Sequence, residues 1–306
     1  MLACICLTAV RRPCSLPAQQ GGERGGRRYT GYDYLLEEYP VTNRDGRAIA
    51  RHNEVRILRA LHRFGWLRTR DLAVLVWQLW TAQGLTAEPD LKARQPTPAA
   101  LRMAQRTLAR LRDGRQVLSS RAPDGSTLYT LAEAGVRSLQ ALGIEASSGK
   151  DLLRDFSSSY YRHRCIANEI AIGGIVDGFR ATTERETAQG HWFGGTAGIA
   201  GKRPDVVLRH GSRLWWVEVE RSRKNVKEYR ALLDWLEIVR QDVGRGAGAM
   251  LLGANLTWGR VVFVCVPAFR TKLTRDLHER GWQKNQINTL ITFETSLYQF
   301  GDINFS

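Results

Sequence analysis

Residues 202–220, KRPDVVLRHGSRLWWVEVE, decide the fold of the second half of this chain. The β-branched run at 206–208 predicts one strand, and the apolar and aromatic run at 214–219 predicts another. The His-Gly-Ser sequence at 210–212 provides the turn between them. Strand-forming runs separated by a short Gly-containing turn are typical of a β-hairpin.

Three carboxylates lie at the ends of this hairpin: Asp205 begins the first strand, and Glu218 and Glu220 end the second. Side chains two apart on a strand share a face, so we expect the two glutamates to point the same way. The rest of the strand is predicted to help fill the core through Trp216, Val217 and Val219. Acids this close repel one another unless protons or a divalent cation compensate.

Composition favours a basic protein with packed cores. The chain has 306 residues, 43% of them hydrophobic, a net charge of +15 and a pI near 10.1. No apolar run approaches the roughly 18 residues of a membrane span, and so strong a positive field favours nucleic acid. The five cysteines are too scattered for a zinc quartet or a disulfide framework, which fits a reducing cytoplasm.

Composition and pattern divide the chain into four parts. Residues 1–51 are predicted to be a largely disordered leader, and 146–155 a linker. Between them, residues 52–145 are predicted to form a winged helix-turn-helix domain. Residues 156–306 are predicted to form a mixed α/β domain.

The winged-helix prediction begins with an amphipathic helix from residue 52, whose expected inward residues are Val55, Ile57, Leu58 and Leu61. Thr69 is expected to cap the next helix. A third helix is predicted over 97–111. Its apolar stripe is Leu101, Ala104, Leu108 and Leu111.

Arginines mark the predicted DNA-binding surface. Arg102, Arg106 and Arg110 fall opposite the apolar stripe of the third helix, and Arg121 lies in a following hairpin with a Pro-Asp-Gly turn. A helix over 132–142 closes the unit. A helix-turn-helix with a basic wing docks DNA through its recognition helix. The alternatives are a winged helix for protein contact and an arginine face that is merely solvated.

The second domain is predicted to start with a helix over 156–179 that carries His163 and Glu169. A strand over 181–186 and a mobile, substrate-facing or disordered Gly-rich loop over 190–203 come next. After the hairpin, a helix, a buried strand, a second helix and a last strand are predicted over 224–240, 261–267, 271–281 and 287–298.

This element order, with RPDVVL and VEVE, resembles the restriction-endonuclease-like PD-(D/E)xK fold over roughly residues 156–295. The resemblance implies an αβββαβ core in which Asp205 and Glu218 hold a metal and Glu169 is the helical acid. The family's lysine, two residues after the glutamate, is replaced here by Glu220. Lys224 and Lys227 are the candidates for its role.

A wider resemblance covers most of the chain from residue 52. RILRALHRFGWLRTRDLA, TLARLRDGRQVL, YTLAEAGVRSL, RPDVVL and WWVEVERS look like the replication-relaxation family, which includes the MobC-type relaxases of mobilisable plasmids and integrative conjugative elements. The resemblance implies a DNA-nicking relaxase at an origin of transfer, with duplex DNA and a conjugation coupling protein as partners. No membrane and no small-molecule substrate are expected.

The same resemblance makes His163 and Glu169 the helix-borne partners of the hairpin acids. Six residues apart on a helix, the two side chains cannot both face one small site, and Glu169 is the preferred partner. The family lacks the three-histidine metal site of tyrosine relaxases, and the six histidines here form no such cluster.

The predicted chemistry is phosphodiester cleavage assisted by Mg²⁺ or Mn²⁺, with water, Tyr160 or Tyr161 as nucleophile. Alternatively, the two tyrosines pack at the domain junction, and the acids are structural, with Asp205 capping a turn and the glutamates paired with Arg221 or Arg223. The function would then be that of a metal-free DNA-binding replication or mobilisation accessory protein on a degenerate nuclease fold. A restriction or repair nuclease is a third hypothesis.

Overall fold

The computed structural model describes residues 45–80, 88–154, 158–220, 225–246, 250–253 and 255–298. The first part of the chain contains α1 (Gly46–Phe64), β1 (Leu67–Arg68), α2 (Thr69–Trp77), α3 (Pro98–Asp113), β2 (Val117–Arg121), β3 (Thr127–Leu131), α4 (Glu133–Gln140) and α5 (Lys150–Arg154). The second part contains α6 (Ser158–Val176), β4 (Arg180–Thr182), α7 (Glu184–Ala188), β5 (Val206–His210), β6 (Arg213–Glu220), α8 (Val226–Gly244), β7 (Thr257–Cys265), α9 (Pro267–Glu279), α10 (Lys284–Leu290) and β8 (Ile291–Glu294). None of the helices within these ranges is long and apolar enough to cross a membrane.

The first part joins three long helices to a small antiparallel sheet with strand order β1-β3-β2. The hairpin is confirmed, with Val117 paired to Leu131 and Arg121 to Thr127. The first helix, however, begins at Gly46, earlier than predicted, because the side chain of Asp45 caps it by accepting a hydrogen bond from Arg47 N at 2.9 Å.

The cap of α2 also differs from the prediction. Thr69 is the first helical residue rather than the cap, and Arg68 takes the cap position. The carboxylate of Asp71 accepts a hydrogen bond from Arg68 N at 2.9 Å and closes the start of the helix. The helix ends at Trp77, so residues 78–80 do not extend it as expected.

Helix α3 has the two predicted faces. Ala104, Leu108 and Leu111 are buried, whereas Leu101 is half-buried. The side chains on the opposite face are exposed at Arg102, Arg106 and Arg110. Thr97 caps the helix by accepting a hydrogen bond from Ala100 N at 3.1 Å.

The larger sheet has strand order β4-β5-β6-β7-β8. The pairs β4–β5 and β5–β6 are antiparallel, whereas β6–β7 and β7–β8 are parallel because helices cross over between those strands. The central strand, β6, is buried on both faces: Trp215, Val217 and Val219 face one core, and Leu214 and Trp216 face the other. Trp216 therefore shares its face with the two glutamates instead of opposing them.

One core is continuous between the two predicted domains. It contains residues from α1 to α4, from α6 and from one face of the larger sheet. The predicted linker carries the short helix α5, and Gly149 N donates a hydrogen bond to Leu131 O at 2.9 Å. The two predicted domains are thus packed against each other, and the predicted linker is itself part of this packing.

Two further segments differ from the sequence predictions. The strand expected over 181–186 ends at Thr182, and Glu184 begins α7, which Thr183 caps. The Gly-rich loop is ordered by packing, because Trp192 and Ile199 are buried in the core between the larger sheet and α8. Both corrections bear on the site, since each segment contributes one of its residues.

Candidate functional site

Six side chains gather where β5 begins and β6 ends. We call this group the carboxylate site; its members are His163, Glu184, Lys202, Asp205, Glu218 and Glu220. They come from α6, α7, the Gly-rich loop and the hairpin. The expected meeting of the three hairpin acids at one edge of the sheet is the basis of this arrangement.

Asp205 is fixed by the backbone of the opposite strand. Its N–H donates to Val217 O at 3.0 Å, and its Oδ2 accepts from Val219 N at 2.7 Å. Its Oδ1 lies 3.2 Å from His163 Nε2. A carboxylate held at both oxygens has a defined orientation, and its side chain remains 21% exposed.

Glu218 is held by a lysine that the sequence prediction missed. Its Oε2 lies 2.8 Å from Lys202 Nζ, and its Oε1 accepts a hydrogen bond from Trp216 Nε1 at 2.6 Å. Lys202 Nζ also lies 5.9 Å from the ring centre of Trp235. Glu220 is buried nearby, opposite Cys265 on β7.

The Gly-rich loop positions Lys202 through a tight turn. Ile199 N donates to Lys202 O at 2.8 Å, and Lys202 N donates to Ile199 O at 3.1 Å. Gly198 has φ +75°, and a Cβ there would lie 2.2 Å from Lys202 O. Only glycine fits this position, so the loop sequence is required to bring the lysine to Glu218.

His163 and Glu184 complete the solvent-facing side of the site. His163 Nε2 lies 3.9 Å from Glu184 Oε1, and Arg164 Nη1 lies 3.2 Å from Glu184 Oε2. One ligand atom each from His163, Glu184 and Asp205 lie within 4.8 Å of one another. Two oxygens and one nitrogen at this spacing are close to what a small divalent cation requires.

The pKa values of Asp205 and Glu184 are shifted in opposite directions. Burial alone would raise the pKa of Asp205, but the hydrogen bond and charge of His163, with the N–H of Val219, hold it below its ordinary value. Burial and the charge of Asp205 raise the pKa of Glu184 to about 9. One acid of this pair is therefore charged at neutral pH and the other is protonated.

In the pair of Glu218 and Lys202, both pKa values are raised. Burial, Asp205 and Glu220 raise the pKa of Glu218 to about 7, against the opposing charge of Lys202. Burial would lower the pKa of Lys202, but Glu218 and the other two acids raise it above its ordinary value. Lys202 therefore stays a cation at neutral pH, while Glu218 is poised to exchange a proton.

Glu169, the preferred helical acid, is not in the site, so that prediction is wrong. Its Oε1 accepts a hydrogen bond from Arg68 Nη2 at 2.5 Å, and Arg68 also binds both oxygens of Asp71 at 3.0 and 2.8 Å. The helical argument that only one of the two residues can face the site holds, but the one that does is His163.

The two tyrosines have different surroundings. Tyr161 is buried against Trp66, and its hydroxyl donates to Asp124 Oδ2 at 2.8 Å. Tyr161 thus packs at the junction between the two parts of the chain. Because burial raises its pKa well above the ordinary value, its hydroxyl is unsuited as a nucleophile. Tyr160 is 46% exposed and stacks on His163, with ring centres 4.8 Å apart.

The remaining candidates lie elsewhere. Lys224, Arg221 and Arg223 fall outside the described residues, and Lys227 is exposed on α8. Arg110 Nε pairs with Glu54 Oε1 at 3.0 Å, and Arg121 Nη1 donates to Gly125 O in the turn between β2 and β3 at 2.5 Å. Arg102 and Arg106 make no ion pair among the described residues.

The sequence analysis does not predict Glu184 or Lys202 as members of the carboxylate site, although a local helix-start motif precedes Glu184. Thr183 and Glu186 form a capping box that starts α7 and places Glu184 at the site. The spacing T-x-x-E is a recognisable helix start. No spacing rule leads from Lys202 to Glu218, because their contact depends on the turn of the Gly-rich loop.

Similarity to known proteins does not assign this site. Comparisons of the chain with protein-family models, curated proteins and solved structures give no match. The function is therefore inferred from the residues of the carboxylate site and the surfaces around it.

Proposed function

We propose that this protein is a metal-dependent DNA endonuclease that cuts a phosphodiester bond at the carboxylate site. In this proposal the larger sheet, with α6 on one face and α8 on the other, is a restriction-endonuclease-like core, and the first part is a winged helix. Support comes from the antiparallel run β4-β5-β6 followed by the parallel strand β7. The acids lie at the start of β5 and the end of β6, as that fold requires.

The observation that carries the proposal is the contact between Lys202 Nζ and Glu218 Oε2 at 2.8 Å. The nuclease motif needs a cation beside this glutamate, and Glu220 occupies the usual lysine position. Lys202 supplies that cation from a different part of the chain. Since its pKa is raised, it acts as a charge that stabilises the reacting phosphate rather than as a base.

The donor set of His163, Glu184 and Asp205 fits a divalent cation. Their ligand atoms lie within 4.8 Å of one another and would need to close slightly for metal–ligand bonds of about 2.1 Å. The imidazole nitrogen favours Mn²⁺ over Mg²⁺, which prefers an all-oxygen set. A bound ion would neutralise the scissile phosphate and lower the pKa of attacking water.

Glu218 is the proposed proton acceptor. A general base works best when its pKa lies near the working pH, and the pKa of Glu218 is raised to about 7. It lies beside Asp205, which carries the metal in this proposal. Cleavage is therefore expected to rise with pH as Glu218 loses its proton.

The winged helix would deliver the duplex. Arg102 and Arg106 project from the exposed face of α3, and the net charge of +15 adds a long-range attraction for DNA. Because one core joins α1–α4 to the larger sheet, a duplex bound at α3 has a fixed position relative to the site.

The relaxase activity at an origin of transfer rests on the sequence resemblance. A relaxase that forms a covalent intermediate needs an accessible tyrosine, and Tyr160 is the candidate that remains. It stacks on His163, which itself lies 3.2 Å from Asp205. A DNA–protein adduct that withstands denaturation and is absent from Tyr160→Phe would support this nucleophile; cleavage without an adduct would assign the role to water.

The test is the conversion of supercoiled plasmid to open circles with Mn²⁺ and the full chain. We expect wild type to nick and Asp205→Asn to bind the plasmid without nicking. A second candidate function, a DNA-binding accessory protein, is favoured by Glu220 in the lysine position and by the contacts that occupy both oxygens of Glu218. Binding without cleavage by wild type, with either Mg²⁺ or Mn²⁺, would establish that candidate.

A further inference from the structure

The end of α1 holds the short helix that carries Glu184. Helix α7 has only five residues, Glu184–Ala188. So short a helix is marginal on its own and depends on tertiary contacts for its position. Since Glu184 is one of the three proposed metal ligands, the position of α7 decides the geometry of the donor set.

Arg63, in the last turn of α1, makes the main contact with α7. Its Nε lies 2.7 Å from Glu186 Oε1, and its Nη2 lies 3.2 Å from Glu186 Oε2 and donates to Ala181 O at 2.6 Å. The side chains of Arg63 and Glu186 are only 4% and 9% exposed. A guanidinium that binds both oxygens of a carboxylate fixes the angle between the two groups as well as the distance.

Glu186 is also part of the capping box that encloses Glu184. Its Oε2 accepts a hydrogen bond from Thr183 N at 2.8 Å, and Thr183 Oγ1 accepts one from Glu186 N at 3.2 Å. Thr183 Oγ1 in turn donates to Arg63 O at 2.8 Å. Glu184 lies between these two capping residues in sequence, so the contacts of Arg63 fix its backbone too.

Two further contacts fix α7 relative to the rest of the site. Arg164 Nη2 donates to Phe64 O at 2.6 Å, while Arg164 Nη1 lies 3.2 Å from Glu184 Oε2. At the other end of α7, Thr187 Oγ1 donates to Pro204 O, just before β5, at 3.1 Å. Helix α7 is thus held between the end of α1 and the start of the hairpin.

We propose that Arg63 is a positioning residue for the metal: acting through Glu186, it holds Glu184 where it can share a divalent cation with His163 and Asp205. The ligand atoms of these three residues lie within 4.8 Å of one another. A buried ion pair adds little net stability compared with apolar side chains of similar volume, so its contribution here is a defined geometry. This inference rests on the proposed metal site but not on DNA cleavage.

The experiment measures the dissociation constant of Mn²⁺ for the full chain, from the electron paramagnetic resonance signal of the free ion. Arg63→Met with Glu186→Gln removes both charges, so no buried carboxylate is left unpaired, and the glutamine oxygen can still accept from Thr183 N. Partners of metal ligands contribute about 10- to 100-fold to metal affinity. This double variant should therefore bind Mn²⁺ at least about tenfold more weakly than wild type.

Arg63→Lys keeps the charge but loses the two-pronged contact, and it should bind Mn²⁺ with an intermediate affinity. Circular dichroism checks that each variant is folded. A mutant cycle then tests whether Arg63 acts through Glu184. In a chain that already carries Glu184→Gln, Arg63→Lys should cause no further loss of Mn²⁺ affinity.

The matched control is Arg94→Met with Asp177→Asn. This ion pair, at 2.5 Å, also joins the first part of the chain to the second, but Asp177 lies about 20 Å from His163 along the axis of α6. The control should retain the Mn²⁺ affinity of wild type whatever its effect on stability.

Wild-type Mn²⁺ affinity in both Arg63 variants, or an equal loss in the Arg94 control, would overturn the proposal, as would a wild type that does not bind Mn²⁺. Plasmid nicking separates this result from that of the proposed function. If wild type and the Arg63 variants bind Mn²⁺ as expected but wild type does not nick, only the nuclease is refuted. If wild type nicks and the Arg63 variants bind Mn²⁺ normally, only the role of Arg63 is refuted.

Discussion

Helix α6 contributes one residue to each of two acid clusters, and the clusters differ in how they are closed. At one, Glu169 meets Arg68 and Asp71, whose side chains are only 1–5% exposed. The guanidinium of Arg68 binds both acids, and nothing in the cluster faces solvent. At the other, His163 meets Asp205, with side chains 15% and 21% exposed.

The charges also differ. In the cluster around Arg68, one guanidinium binds both carboxylates and so links the first part of the chain to α6. The carboxylate site holds four acids against Lys202 and His163, and Arg164 lies beside it, 3.2 Å from Glu184. The negative charge is reduced because the pKa values of Glu184 and Glu218 are raised. The cluster around Arg68 is a buried structural ion network. In the carboxylate site, by contrast, protons on the acids offset a negative charge that a bound cation could offset instead.

Breaking the sealed cluster should have the largest effect on stability. Arg68→Met leaves Asp71 and Glu169 buried without their cation, and we expect a loss of about 3–5 kcal/mol in the free energy of unfolding. Urea denaturation measures it. Adding Glu169→Gln to this variant should recover part of the loss; no recovery would mean that packing, not charge, sets the cost.

Metal should stabilise only the open site. With Mn²⁺ at about a hundred times its dissociation constant, the free energy of unfolding should rise by about 2.7 kcal/mol, seen as a higher Tm. Mg²⁺ should give a smaller rise. Asp205→Asn should abolish the gain, while Glu169→Gln in the sealed cluster should retain it. A gain that survives Asp205→Asn would place the ion elsewhere.

The pH dependence should expose the protonated acid. The pKa of Glu184 is raised from 4.5 to about 9, so its ionisation lowers stability as pH rises through that window. Glu184→Gln should therefore stabilise the metal-free protein near pH 9 and change its stability little near pH 4.5, because wild type pays for keeping this acid protonated only above its ordinary pKa. The exposed Glu145→Gln is the control. A variant that gains as much stability near pH 4.5 as near pH 9 would contradict the raised pKa.

The smallest effect on stability is expected at the arginine face of α3, the proposed DNA-binding surface. Arg106→Gln on α3 should change the free energy of unfolding by less than about 0.5 kcal/mol, because the side chain is exposed. Duplex affinity should fall, with a salt slope smaller by about one. Arg137→Gln, an exposed arginine on α4, is the control. Unchanged affinity at moderate salt would remove α3 from the interface.

Local patterns predicted most of the elements that position the site. The hairpin followed from strand-forming runs and a turn, and the two faces of α3 followed from helical spacing. The angle between His163 and Glu169 was also predictable, but which of them faces the hairpin was not. That choice depends on how α6 rotates when Glu169 pairs with Arg68, about a hundred residues away in sequence.

The remaining errors have a similar origin. The predicted strand over 181–186 includes Glu184, whereas the capping box of Thr183 and Glu186 is a local signal that a helix starts there. Lys202 reaches Glu218 only through the turn at Gly198, so its role depends on a long-range contact. Continuity of the core between the two parts could not be inferred from composition, since both parts contain apolar residues enough for separate cores.

The most direct test of this account is plasmid nicking by Lys202→Met, with Lys227→Met, an exposed lysine on α8, as the matched control. If Lys202 supplies the cation that the nuclease motif requires, Lys202→Met should lose at least about a hundredfold in the nicking rate at saturating Mn²⁺. Lys227→Met should match wild type. Equal nicking by Lys202→Met and wild type would contradict the role of this lysine and, with it, the assignment of the site.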